Sequence, residues 1–271
     1  MLASLDPKRL SDRLLFTVCS VLIGSTVVAA SDDDVVSGTH SFEQGHYKAA
    51  IASFDKAIKT QPACAKCFYL RANAYKQIDA MQEALSDLNE CHKLDPKFPI
   101  SHKLWADLYF GLGDQVAAIR EYGAVLKESP KDAASYRSRG RAYEANNDYM
   151  RAVQDYNQTL KLQSNDGRVY KERALLYMKL ERFEDALNDY GAAIRLEPRL
   201  SSTYVARGNC FMKTGKVKEA VADYSQAITI DPTKSPAYAA RAKAYVKLGR
   251  SDLAARDKEQ SIKNAESFSL R

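Results

Sequence analysis

Cys64 and Cys67, with Ala65-Lys66 between them, are the side chains whose type and spacing could do covalent chemistry. Two thiols three positions apart can close a disulfide, supply part of a metal site or exchange disulfides with another protein. A helix opening at this point would favour a thiolate through the partial positive charge of its end. A thioredoxin-like site wants a strand before the pair, whereas here the preceding element is a helix ending at Pro62. Cys91 lies where an antiparallel partner helix would return toward Cys67. Three readings stay open: a structural disulfide among Cys64, Cys67 and Cys91, packed free thiols, and a redox or metal role. Cys210 reads as a small core residue, and Cys19 belongs to an apolar N-terminal stretch.

Other chemistry is weakly represented. His40, His46, His92 and His102 are scattered, with no His-x-x-Glu-His or comparable spacing. They read as isolated surface residues, indicating neither a metal nor an acid–base pair. No catalytic constellation and no cofactor signature stand out, so the expectation is a protein without enzymatic activity. The net charge of +6 is dispersed, with no long block of like charges, which argues against a nucleic-acid partner.

The elements that position these residues are helices. Only 12 glycines and 8 prolines occur in 271 residues, and Ala, Leu, Lys, Arg and Glu abound. From Ser31 onward one frame recurs every 34 residues without insertion or deletion. Numbering its slots 1 to 34, slot 20 holds Ala50, Ala84, Ala118, Ala152, Ala186, Ala220 and Ala254. Slot 8 is always small: Gly38, Ala72, Ala106, Gly140, Ala174, Gly208 and Ala242. Slot 11 is aromatic from Tyr75 to Tyr245, slot 24 runs Phe54, Leu88, Tyr122, Tyr156, Tyr190, Tyr224, and slot 32 is proline at Pro62, Pro96, Pro130, Pro198 and Pro232.

In these slots the sequence resembles the tetratricopeptide repeat family, over nearly everything after residue 30. The repeats span 31–64, 65–98, 99–132, 133–166, 167–200, 201–234 and 235–268, with a short tail at 269–271. Slots 4, 8, 11, 20, 24 and 27 fall three or four residues apart within each helix and line one face apiece. Small residues at slots 8 and 20 let two helices approach, and large ones at 11 and 24 fill the space beside the crossing. Proline at slot 32 ends the second helix. The expected fold is all-α, antiparallel helix pairs stacked as a solenoid; the resemblance implies a right-handed superhelix. Repeat one is degenerate, with Ser31 expected to cap its first helix, and residues 267–271 read as a frayed tail.

Slot 7 is arginine in five repeats and slot 23 is aspartate in the same five: Arg71 with Asp87, Arg139 with Asp155, Arg173 with Asp189, Arg207 with Asp223, Arg241 with Asp257. Each arginine is expected to bond an aspartate of its own or a neighbouring repeat as a structural ion pair.

The resemblance implies that slots 2, 5, 9, 12 and 13 of the first helices line a concave peptide-binding groove. Those slots in repeats three to five carry Lys103, Arg137, Arg141, Arg168, Lys171 and Lys179, against Asp107 and Glu144, with Tyr69 and Phe110 nearby. A mildly basic groove suits a protein or peptide partner with an acidic or C-terminal segment. The family's clamp for chaperone tails, Lys at slot 5 followed by Asn at slot 9, is missing: Lys103 is followed by Asp107 and Lys171 by Leu175.

The first thirty residues differ in kind. Lys8, Arg9 and Arg13 precede an apolar run from Leu14, and small residues follow to Ala29-Ala30, the layout of a cleaved secretory signal. The uncharged stretch 14–30 is also near the shortest membrane anchor, which would tether the repeats to a bilayer. The function expected is an exported or membrane-tethered scaffold supporting complex assembly. A thiol-active accessory factor using Cys64 and Cys67, or a purely structural envelope component, are the alternatives.

Overall fold

The structure, a computed structural model, describes residues 29–233 and 235–269. The signal-or-anchor reading and Cys19 therefore lie outside the described residues. Among the described residues the chain is a run of fourteen helices with no strand. They are α1 Ala29–Glu43, α2 Tyr47–Thr60, α3 Ala65–Gln77, α4 Met81–Leu94, α5 His102–Gly111, α6 Gln115–Glu128 and α7 Ala133–Ala145. The run continues with α8 Tyr149–Leu162, α9 Gly167–Lys179, α10 Phe183–Leu196, α11 Ser201–Lys213, α12 Val217–Ile230, α13 Ser235–Lys247 and α14 Ser251–Ser269.

The chain divides between Phe98 and Pro99 into two compact units. In the first, α1 to α4 pack in sequence, with α1 also touching α3. In the second, α5 to α14 pack in sequence, and the first helices of successive repeats touch where α9 meets α11 and α11 meets α13. The 34-residue count runs unbroken across the division, so the sequence gives no insertion there. What differs is local: Pro99 occupies slot 1 and biases Phe98 away from helix. Ser101 then caps α5, its hydroxyl accepting from Lys103 N at 3.1 Å.

Within each pair the slots pack as their sizes dictate. Every slot-20 alanine is buried, and so are the slot-24 rings of Phe54, Tyr122, Tyr156, Tyr190 and Tyr224. A Cβ added to Gly208 would stand 2.6 Å from the Tyr224 ring, so this crossing admits no larger residue without repacking. The turn inside each pair repeats too. Slot 15 has positive φ in all seven repeats: Gly45, Asp79, Gly113, Asn147, Glu181, Gly215 and Gly249. Side chains of Asp114, Asp132, Asp148 and Asp166 cap the helices that follow them.

Three expectations need correction. α1 already runs at Ala29, so Ser31 lies within the helix instead of capping it. The second helices stop at slot 30 even in repeat four, where slot 32 is Ser164, so proline reinforces an end that Asp166 and the next helix already impose. In the last repeat slot 32 is Glu266, and α14 continues to Ser269 through part of the expected tail.

Candidate protein-binding site

Each arginine of the expected pairs holds the aspartate of its own repeat. Arg173 Nε and Nη2 donate to Asp189 Oδ2 and Oδ1, both at 2.7 Å, and Arg71, Arg139, Arg207 and Arg241 repeat the geometry at 2.7–2.8 Å. A second link runs back to slot 25 of the preceding repeat: Arg71 to Asp55, Arg173 to Asn157 and Arg241 to Ser225. Sequence reasoning missed slot 25, because glycine takes it at Gly123 and Gly191 and hides the pattern. The aspartates are buried, so this ladder joins helices and offers little to a ligand.

The basic face expected over repeats three to five is largely neutralised. Arg137 forms a bidentate pair with Glu172 at 2.9 and 2.7 Å and lies 3.5 Å from Asp166. Lys179 reaches Glu144 at 3.1 Å and sits over the Tyr149 ring, Arg168 binds Asp166 at 3.3 Å, and Lys103 lies 3.8 Å from Asp132. Arg141 covers the Phe110 ring, and Lys171 has no carboxylate within 4.0 Å among the described residues. Tyr69 belongs to the first unit, where its ring packs on Phe98 at 5.3 Å. The sequence-level count took outward slots one repeat at a time. Slot 5 of one repeat in fact faces slot 6 of the next, as in Arg137 with Glu172, and slot 12 faces slot 13, as in Glu144 with Lys179.

The same slots in repeats six and seven behave differently. Between α11 and α13 lies an open cleft of about 680 Å³, lined by Val205, Asn209, Met212 and Lys213 from α11 and by Pro236, Ala239, Ala240, Lys243 and Lys247 from α13, with Tyr224 at its floor. Slots 5 and 6, which are Lys171 and Glu172 in repeat five, are Ala239 and Ala240 in repeat seven. That exchange opens the space, and Met178 and Met212 take slot 12, where Glu144 pairs with Lys179, so the slot-13 lysines Lys213 and Lys247 face no carboxylate. Among the described residues no carboxylate comes within 4.0 Å of Lys213, Lys243 or Lys247, which leaves the wall positive. Tyr224 Oη donates to Asn209 Oδ1 at 2.8 Å, fixing the amide so that its NH₂ is left to donate elsewhere. Apolar floor, an oriented amide and unpaired ammonium groups suit an extended segment with apolar and acidic side chains.

Cys64 and Cys67 form a disulfide, and Cys91 and Cys210 are free, buried thiols. Burial pushes the Cys91 thiol up to about 12 and the Cys210 thiol to about 11. His102 Nδ1 lies 2.8 Å from Glu121, and His40 bonds Gln44; His46 and His92 are exposed. Among the described residues no group of His, Cys, Asp and Glu could hold a metal ion, and no helix is long and apolar enough to cross a membrane.

Family profiles described as Tetratricopeptide repeat match residues 37–96, 103–167 and 167–200, and one described as TPR repeat matches 208–249. An Hsp70-Hsp90 organizing protein of Triticum aestivum is 30% identical over 96 residues, which cover 35% of this chain and 16% of that protein. The chain thus matches only about a sixth of that relative's length. The C-terminal part of a TPR repeat-containing protein from Cytophaga hutchinsonii superposes with a TM-score of 0.70 at 16% identity, covering 84% of this chain and 97% of its own. A tetratricopeptide repeat protein from Parabacteroides merdae gives 0.63 at 21% identity, covering 86% and 92%. These two likenesses speak to the fold. Profile matches along the chain, the 34-residue frame and the paired helices agree, and the chain belongs to the tetratricopeptide repeat family.

Proposed function

We propose that this chain is an exported or membrane-tethered scaffold that holds acidic segments of other proteins in the cleft between α11 and α13 and so supports assembly of a larger complex. Proteins of this repeat family mediate protein–protein interaction, and their role is generally to hold partners without turning them over. The cleft is the observation that carries the reading: three lysines without carboxylate partners surround apolar floor, whereas in repeats three to five Lys103, Arg137, Arg168 and Lys179 are matched by carboxylates. Export rests on the charged start, apolar run and small-residue end of residues 8–30.

Fluorescence anisotropy with a labelled peptide alternating Glu and Leu, and with its Lys and Leu counterpart, tests the cleft. The full chain is expected to bind the acidic peptide only. Lys213→Glu, Lys243→Glu and Lys247→Glu combined should weaken binding at least about tenfold, while Arg137→Glu, Arg141→Glu and Lys171→Glu combined change it less. Equal affinity of the wild type and the lysine variant would refute the cleft. Cell fractionation with determination of the mature N-terminal residue separates a cleaved exported form from a tethered one.

A further inference from the structure

We propose that the Cys64–Cys67 disulfide is reactive, oxidising a dithiol of a partner protein, with Cys64 as the sulfur attacked and Cys67 as the first leaving group. The inference stands on the first unit alone and does not rest on the cleft. The two sulfurs are unequal. Cys64 is half-buried at the N-cap of α3, next to exposed Pro62 and Ala63, whereas Cys67 is fully buried one turn into the helix. An incoming thiolate therefore meets Cys64 first.

The surroundings also favour negative charge on Cys64. Cys67 N–H donates to Cys64 Sγ at 3.1 Å, the sulfur sits at the positive end of the α3 dipole, and the first turn of α3 carries no acidic residue while it does carry Lys66. Stabilising the Cys64 thiolate stabilises the reduced form, which makes the disulfide a better oxidant. As a staple the bond does little. It joins residues three apart whose turn is already closed by Cys67 N–H and Phe68 N–H donating to the Cys64 carbonyl at 3.0 and 3.4 Å, and so short a loop constrains the unfolded chain least. Cys91 and Cys210, buried and held as thiols, do not compete.

The exchange balances as follows. A partner thiolate attacks Cys64 Sγ, the partner–Cys64 bond forms, the Cys64–Cys67 bond breaks, and Cys67 leaves as thiolate and takes a proton. The partner's second thiolate then attacks its own sulfur in the mixed disulfide, forming the partner disulfide and releasing Cys64 as thiolate. Two electrons pass from the partner dithiol to the Cys64–Cys67 pair, and the exchange is stoichiometric.

The test uses the full oxidised chain, with reduced glutathione and a synthetic two-cysteine peptide as probes and mass mapping after acid quench. Glutathione is expected on Cys64 and not on Cys67, and one peptide disulfide should form for each Cys64–Cys67 bond lost. In Cys67→Ser, a preformed Cys64–glutathione bond should be displaced by the peptide about tenfold faster in the folded chain than in the same chain in urea. Circular dichroism of each variant establishes that it is folded. Addition at Cys67, no peptide oxidation by the folded chain, or equal displacement rates in buffer and urea would each overturn the proposal and leave a structural disulfide.

Discussion

Arg173 shows what the recurring slot-7 arginine does. It holds Asp189 through two parallel hydrogen bonds, reaches back to Asn157, and lies over the rings of Tyr170 and Tyr177. Burial opposes its charge, yet the Asp189 bonds leave its pKa above the ordinary arginine value; for Arg71, Arg139, Arg207 and Arg241 the bond to aspartate is the larger effect. Asp87 shows the other side of the balance, since burial raises its carboxyl against the pull of Arg71. Such a pair is costly to break from one side. Arg173→Ala, which strands an aspartate only 8% exposed, should cost about 3 kcal/mol. Arg151→Ala, 64% exposed beside Asp148, should stay within about 0.5 kcal/mol. Denaturant melts of the two variants check the contrast, and a small effect at Arg173 would show that water replaces the arginine. The pairing was legible because slots 7 and 23 change together, whereas the slot-25 link was not, since its acceptors are Asp, Asn and Ser.

At the scale of the element, the seven helix pairs share one turn geometry but build it from different residues. Slot 15 sits at positive φ whatever its residue, because the short connection between antiparallel helices demands a left-handed residue. Glycine supplies this at Gly45, Gly113, Gly215 and Gly249, and Asp79 and Asn147 are polar residues that tolerate it. Glu181, at φ 57°, is the strained exception. Glu181→Gly should therefore stabilise the chain by about 0.5–1 kcal/mol, the relief of strain exceeding glycine's greater freedom when unfolded. Gly215→Ala should destabilise it by a similar amount. Thermal melts of both variants test the sign, and a loss of stability in Glu181→Gly would contradict the strain. The break at Gly215 is readable from its residue type; the same geometry at Glu181 is not, because only the helix frame forces it.

At the scale of the whole molecule, burial of the ring layer couples stability to alkaline pH. Burial raises the phenol pKa of Tyr75, Tyr122, Tyr156, Tyr177, Tyr190 and Tyr224, the last to about 12. A phenol whose pKa is raised on folding contributes stability that is fully present below the unfolded value of about 10 and lost as pH rises through the folded value. The melting midpoint should accordingly hold up to about pH 10 and then fall steeply, with these tyrosines ionising only as the protein unfolds. Absorbance at the tyrosinate band followed alongside circular dichroism checks it; ionisation of all 16 tyrosines before unfolding would refute it. The sequence by itself determined the helices, their pairing and that Arg and Asp pair, because these follow from residue size and charge at fixed spacing along one chain; that each arginine holds the aspartate of its own repeat was decided by the packing. It also singled out Cys64 and Cys67, though not which of the two is the less buried. Which outward cations stay unpaired was decided only by tertiary structure, because slots 5 and 12 of one repeat face slots 6 and 13 of the next. That stacking neutralises Arg137 and Lys179, while the alanines at 239 and 240 open the cleft and Met178 and Met212, at slot 12, offer no carboxylate to Lys213 and Lys247 beside it.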